Sequence, residues 1–334
     1  MEKQGKILSI IIPVYKVEKY IRKCLSSIFN QEYSYGKVEV IIVNDGTPDN
    51  SMEIVKEFAS KYKIDILEQT NQGLSMARNN GLLKTTGKYV WFVDSDDWLQ
   101  KDSIQTVLEC IENHRVDMIS TRLIRVKEEN GSYEIDKRNK YIEGKKYIVG
   151  KEYLFDEGIY APVQQFIYRR AFLKEKNLKF YPNIYHEDGQ FNIRALYMSK
   201  QVYLLNIPVY NYLLRDFGSI MKSMTIKNAQ DLLLIHKTLL AFGKDKVDTA
   251  DMKKWKALIS GFLTVIFSWL AQMINDDSFR DFYSENRYYI NKYIWDRMSL
   301  KHFHKHTVKV CFMIRFFPFL YMKSLNKHVV ENSR

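Results

Sequence analysis

Apolar residues in the first hundred positions follow two alternating rhythms. Ile7 to Tyr15 (ILSIIIPVY), Val38 to Asp45 (VEVIIVND), Ile64 to Thr70 (IDILEQT) and Lys88 to Asp94 (KYVWFVD) are short runs rich in β-branched or aromatic residues. Each predicts a strand. Between them, VEKYIRKCLSSIFNQ, NSMEIVKEFASKYK and GLSMARNNGLL place apolar residues three or four apart, the period of an amphipathic helix. Strand and helix in alternation predict a mostly parallel sheet covered on both faces. Residues 116–142 alternate around EENGSYE and predict strands joined by an exposed turn. From Thr225 to Arg334 the pattern is helical.

Ligands of such sheets bind beyond the carboxyl ends of the strands, so the polar strand ends belong together: Pro13-Val14-Tyr15, Asn44-Asp45-Gly46 and Asp94-Ser95-Asp96-Asp97. Crowded carboxylates repel and raise one another's pKa unless a cation neutralises them. Hard oxygen donors at this spacing suit Mg²⁺ or Mn²⁺. The competing structural reading is that Asp97 or Asp102 caps the helix that follows. Asp45 has two readings as well, an acceptor for the edge of a nucleobase or an Asx turn. In NQGLSMARNNGL, Gly73 allows close backbone approach and Arg78 is expected to pair with a strand-end carboxylate. Neither GxGxxG nor GxxxxGK[ST] occurs, which argues against a dinucleotide-binding Rossmann enzyme and a P-loop NTPase.

Composition narrows the classes further. With 334 residues and 46% hydrophobic content, the chain can bury a sizeable core. Three cysteines without CxxC spacing argue against a disulfide framework or a structural zinc, and fit a reducing, cytoplasmic setting. The N-terminal apolar run contains Pro13 and lacks a small-residue cleavage site, so it reads as a strand rather than a signal peptide. Net charge is +12, and residues 221–334 hold 19 Lys and Arg against 10 Asp and Glu. Nucleic acid, anionic lipid and phosphate-bearing substrates all suit that sign, but no nucleic-acid-binding motif accompanies it and no nucleic-acid partner is expected.

SIIIPVYKVEKYIRKCLSSIFNQ, VEVIIVNDGTPDNS, NQGLSMARNNGL and GKYVWFVDSDDWL, in that order and spacing, resemble family 2 glycosyltransferases of the GT-A fold. The resemblance is dense over Ile7 to Leu99 and continues through HEDGQFN (His186 to Asn192) and YNYLLRDFGSIM (Tyr210 to Met221). It implies a mostly parallel, Rossmann-like sheet with helices on both faces, plus a C-terminal helical extension. The expected domains are 1–224, divided at about residue 100 into nucleotide-sugar and acceptor-facing halves, and a basic helical region, 225–334. The implied partners are a nucleotide-diphospho-sugar donor and a glycan or lipid-diphosphate-linked acceptor in bacterial surface-polysaccharide synthesis. UDP-sugars are the expected donors, with GDP- or dTDP-sugars, or a non-catalytic nucleotide-binding module, as the alternatives.

By the same resemblance, Pro13, Val14 and Tyr15 line the base pocket, Asp45 contacts the base, and Asn71 and Gly73 lie along the nucleotide. Arg78, Asp94 and Ser95 complete the donor side, and Asp96, with Asp94, holds Mn²⁺ or Mg²⁺ against the diphosphate. Asp188 is the expected base that deprotonates the acceptor hydroxyl, with Glu187 as its support or as an ion-pair partner. A helix cap is the structural reading of Asp188. Attack opposite the leaving diphosphate inverts the anomeric centre. Arg215 and Ser219 fall in a loop expected to close over the diphosphate, and Gln164 and Gln165 are further candidates near the sugar.

Ala257 to Ile274 is 18 residues without charge, the minimum for a membrane span. Ser260, Thr264, Ser268 and Gln272 draw a polar stripe along it, which favours a buried or interfacial helix. The segment from Lys301 to Lys327 mixes basic residues with Phe, Tyr and Met, as helices on anionic lipid do. It suggests a peripheral position at the inner face of the plasma membrane, against a core-packing helix pair with a solvated basic face. His302, His304 and His306 do not share a helix face and read as a solvated cluster.

Overall fold

Strand β1 (Leu8–Val14) is buried along its whole length, as a run with apolar side chains on both faces requires. It pairs in parallel with β2 (Val38–Asn44) on one side and β4 (Tyr89–Phe92) on the other, and β3 (Asp65–Glu68) joins β2 in parallel at the edge. Helices α1 (Ile21–Phe29), α2 (Ser51–Ala59) and α3 (Leu74–Lys84) make the connections. All seven elements were expected from their periodicity. The computed structural model describes residues 5–135, 145–157, 162–215, 225–272 and 277–299.

The second half of the sheet is mixed. After β5 (Trp98–Leu99) and α4 (Ser103–Asn113), β6 (Met118–Lys127) and β7 (Tyr133–Ile135) form the expected hairpin. Gly131 supplies a left-handed turn at φ 66°. Then come β8 (Tyr147–Ile148), α5 (Gly150–Glu157), β9 (Phe166–Arg169), α6 (Arg170–Glu175), α7 (Glu187–Met198) and the 13-residue β10 (Val202–Leu214). The strand order is β3-β2-β1-β4-β9-β6-β10-β5, with β7 on β6 and β8 on β10. β9 runs antiparallel between β4 and β6, with Trp91 opposite Ile167. The first four strands, which carry the three polar ends noted above, are uninterruptedly parallel, and β6 and β10 add one further parallel pair.

The chain divides into two compact units at residues 219 and 220. In the second, α8 (Ile226–Lys246) starts with a capping box between Thr225 and Asn228. It is followed by α9 (Met252–Ile259), α10 (Gly261–Gln272) and α11 (Asp277–Tyr293). Gly243 is where Trp255 packs on α8: a Cβ there would sit 2.5 Å from the indole nitrogen, which donates to the Leu239 carbonyl. The uncharged run is broken at Ser260, whose buried hydroxyl bonds the carbonyls of Lys256 and Tyr293. Among the described residues no helix is long and apolar enough to cross a membrane. Ser219 and the basic aromatic segment from Lys301, with its three histidines, lie outside the described residues.

Candidate active site at the carboxyl edge of the sheet

The carboxyl ends of β2, β4 and β10 and the start of α7 supply the charged side chains. At β2, Asp45 is buried, and its carboxylate accepts from the Gln69 amide at 2.7 Å and from the backbone N–H groups of Gln72 and Gly73 at 2.7 and 2.9 Å. This is a long-range clamp on the loop before α3 rather than an Asx turn. Gly46 makes it possible, because at φ 66° a Cβ would come within 3.0 Å of the Asn71 nitrogen. Asn44 makes the local turn instead, accepting from Thr47 N–H. A carboxylate has about four acceptor sites, so one remains open on Asp45. Pro13 and Val14 are buried in the sheet, whereas Tyr15 is 39% exposed and Asn71 lies at the surface.

At the end of β4, Asp94, Asp96 and Asp97 each offer an oxygen within 4.8 Å of the others. Both oxygens of Asp97 are engaged by β10: they accept from the Tyr210 hydroxyl and from Leu213 N–H, each at 2.7 Å. The Tyr210 hydroxyl also receives the Asp94 N–H at 3.0 Å. Burial, together with the charges of Asp96 and Asp94, pushes the Asp97 carboxyl well above its ordinary range. Asp97 thus ties the acidic turn to β10 and caps no helix. Nor does Asp102, which precedes α4 in a left-handed conformation without a side-chain cap bond.

Asp94 is held by two neighbours. Arg78, only 1% exposed, donates to it at 2.7 Å and with its other arm to Glu187 at 2.6 Å. The expected pairing of Arg78 with a strand-end acid is therefore present, with a second acid added. The guanidinium lies over the Phe180 ring, 5.3 Å from its centre. Phe180 is fixed by stacking on Phe191 and by two hydrogen bonds between its backbone and Asn79. The second oxygen of Asp94 accepts from the Gln164 amide. Ser95 is buried behind the turn.

Asp96 is about as exposed as Asp94 and has a different cation. Its partner is Arg215, immediately after β10, and the two side chains are 17% and 23% exposed. Arg215 also lies over the Tyr20 ring, 5.1 Å from its centre, and Tyr20 bonds Glu128. Burial and the adjacent Asp94 raise the Asp96 carboxyl, and Arg215 opposes them. The donor set fits a hard divalent cation: oxygen ligands only, clustered, and partly exposed at Asp94 and Asp96. Asp97 is the exception, since both its oxygens serve β10.

Glu187 and Asp188 occupy the first turn of α7, where the helix dipole favours negative charge. His186 is the N-cap residue. Asp188 is half-buried, and one of its oxygens takes the N–H of its neighbour Gly189. Burial raises both carboxyls above their ordinary range, against the pull of Arg78. Glu187 is the ion-pair partner, leaving Asp188 the less committed of the two. Sequence reasoning missed Tyr210, which reads as one more aromatic residue in a strand.

Residues 9–176 match the model of "Glycosyl transferase family 2". Glycosyltransferase GlyA of Streptococcus pneumoniae is 34% identical over 239 residues, 66% of this chain and 32% of that protein. The uncharacterized glycosyltransferase EpsJ of Bacillus subtilis is 30% identical over 229 residues, 67% of this chain and 65% of that one. The match thus spans less than two thirds of either relative. TarS of Staphylococcus aureus, a poly(ribitol-phosphate) β-N-acetylglucosaminyltransferase, is 29% identical over 218 residues, 64% of this chain and 37% of its own. The crystal structure of TarS 1–349 in complex with UDP-GlcNAc superposes with a TM-score of 0.62 at 17% identity, covering 98% of this chain and 92% of that one, so the two share a fold. With half of its length matching the family's own model, the chain belongs to glycosyl transferase family 2.

Proposed function

We propose that the protein is an inverting, metal-dependent glycosyltransferase that moves a sugar from a UDP-sugar onto a glycan or lipid-linked acceptor in cell-surface polysaccharide synthesis. The observation that carries this reading is the bracket made by Arg78. One guanidinium joins Asp94, at the acidic turn, to Glu187, beside Asp188. On this reading the leaving diphosphate and the base stand side by side. The UDP preference and the surface-polymer acceptor draw support from TarS, whose names specify UDP-GlcNAc and poly(ribitol-phosphate).

Asp96, with Asp94, would hold Mn²⁺ or Mg²⁺. Bound there, the ion supplies Lewis-acid stabilisation of the departing diphosphate. The chain's own residues do the rest. Arg215, released from Asp96, neutralises phosphate oxygens with its planar fork. Tyr15 and the open acceptor site on Asp45 meet the base. Asp188 takes the proton of the acceptor hydroxyl as its oxygen attacks the anomeric carbon from the side opposite the diphosphate, which inverts that centre. A carboxylate raised by burial is better matched to this task near neutral pH than an ordinary one.

The test is a donor screen across UDP-, GDP- and dTDP-sugars with Mn²⁺ or Mg²⁺, reading released nucleoside diphosphate and thermal stabilisation, with Asp96→Ala in parallel. Stabilisation or turnover by one donor, lost in the variant, is expected. A folded protein that responds to no donor, with or without a lipid-linked acceptor, would overturn the reading. The tail's association with membrane is part of the same proposal. Sedimentation with anionic vesicles should fall when residues after 300 are removed.

A further inference from the structure

Gln164 sits one strand away from the acidic turn. β9 pairs antiparallel with β4, Tyr89 opposite Arg169 and Trp91 opposite Ile167. That ladder ends there, and the 3₁₀ turn Val163–Gln165 just before β9 puts Gln164 beside Asp94. Its backbone is anchored there, because its carbonyl accepts the Trp91 indole N–H at 2.9 Å. Its side chain is 4% exposed and donates to Asp94. The amide cannot turn over, since its oxygen would then face a carboxylate already paired with Arg78. The side-chain oxygen Oε1 is left buried with no hydrogen-bond partner. An orphaned buried acceptor is costly, and a ligand group that donates to it recovers that cost.

What lies beside Asp94 follows from the reaction proposed above, on which this inference rests. The transferred sugar must sit between the leaving diphosphate at Asp96 and the base at Asp188. Arg78 joins Asp94 to the residue preceding that base, so Asp94 and Gln164 flank the sugar. We infer that Gln164 is a specificity-determining residue for the donor sugar: its Oε1 accepts an O–H or N–H from a ring substituent, beside the carboxylate of Asp94. Both groups face the sugar as acceptors. The subsite therefore selects substituents that donate, such as a hydroxyl or an acetamido N–H, over those that only accept.

Gln165 provides the contrast. Its amide also has an unpartnered buried oxygen, but its nitrogen bonds the hydroxyls of Tyr153 and Ser120, away from Asp94. It has no place in the sugar subsite.

Calorimetric titration of the full chain with UDP and with UDP-GlcNAc and UDP-glucose, in Mn²⁺, separates the sugar's contribution from the nucleotide's. Gln164→Met should weaken the preferred UDP-sugar by about tenfold while UDP itself binds within about twofold of wild type. Gln165→Met should leave the ratio of the two affinities unchanged. If thermal melting shows that Gln164→Met does not fold, Gln164→Asn, one methylene shorter, carries the same comparison. Equal losses for UDP and UDP-sugar, or no loss, would overturn the inference and leave the function standing. A wild-type protein that binds neither UDP nor any UDP-sugar would overturn both.

Discussion

Two arginine–aspartate pairs at the same sheet edge differ in burial and in partners. Arg78 has no route to solvent, and both ends of its fork are engaged, by Asp94 and Glu187. Arg215 follows the last strand, is partly exposed, and among the described residues is paired with Asp96. A buried cation between two anions is fixed, because withdrawing it leaves both acids uncompensated. A partly exposed cation can exchange for another at a smaller cost. The inner pair is suited to holding geometry, and the outer pair to trading partners when a ligand arrives.

Removing the inner cation should have the largest effect. Arg78→Met is expected to destabilise the fold by about 3–5 kcal/mol, the penalty for a broken buried pair, and to abolish transfer. A denaturation midpoint close to wild type would erase the distinction between the pairs. Next, Asp188→Asn should lower kcat by at least about a hundredfold with UDP affinity and melting temperature preserved. Full activity would remove Asp188 as base. Arg215→Ala should raise the donor KM by roughly tenfold while costing less than about 1 kcal/mol of stability. A large stability loss would make it structural like Arg78.

The smallest effect is a shift in pH dependence. As the proposed base, Asp188 would have to be ionised, and burial raises its carboxyl. Activity should therefore fall on acidification at a pH above the ordinary carboxylate range, as the pH passes the raised pKa. Arg78 opposes that rise, so Arg78→Lys, which loses the two-armed fork, should move the acid limb of the kcat profile higher still. An unmoved limb would show that Arg78 acts on position alone.

The four parallel strands and their helices were legible because each element carries its own period within a dozen residues. The acidic turn was legible for the same reason, and so was the need of Arg78 for a strand-end acid. What escaped depends on chain segments brought together from afar. Tyr210 reaches Asp94 and Asp97 across 116 and 113 residues, and Gln164 reaches Asp94 across 70. In sequence Tyr210 is an ordinary member of a strand-like stretch that only β10 aims at the acids, and Gln164, a candidate near the sugar by resemblance, acquires its partner only through the 3₁₀ turn before β9. The antiparallel returns in the second half had no signal beyond the β6–β7 turn, since a short strand reads alike in either direction. The helix-capping reading of the acids failed because Asp97 found partners on β10, which local pattern cannot reveal.

The insertion of β9 between β4 and β6 also sets the order in which the protein can be completed. As the chain leaves the ribosome, the first four strands can assemble once residue 92 has emerged, but β4 then presents an unpaired edge until Phe166–Arg169 arrives more than seventy residues later. Open edges recruit other strands. A fragment ending near residue 130 should therefore associate with itself, whereas one ending past β10 should not.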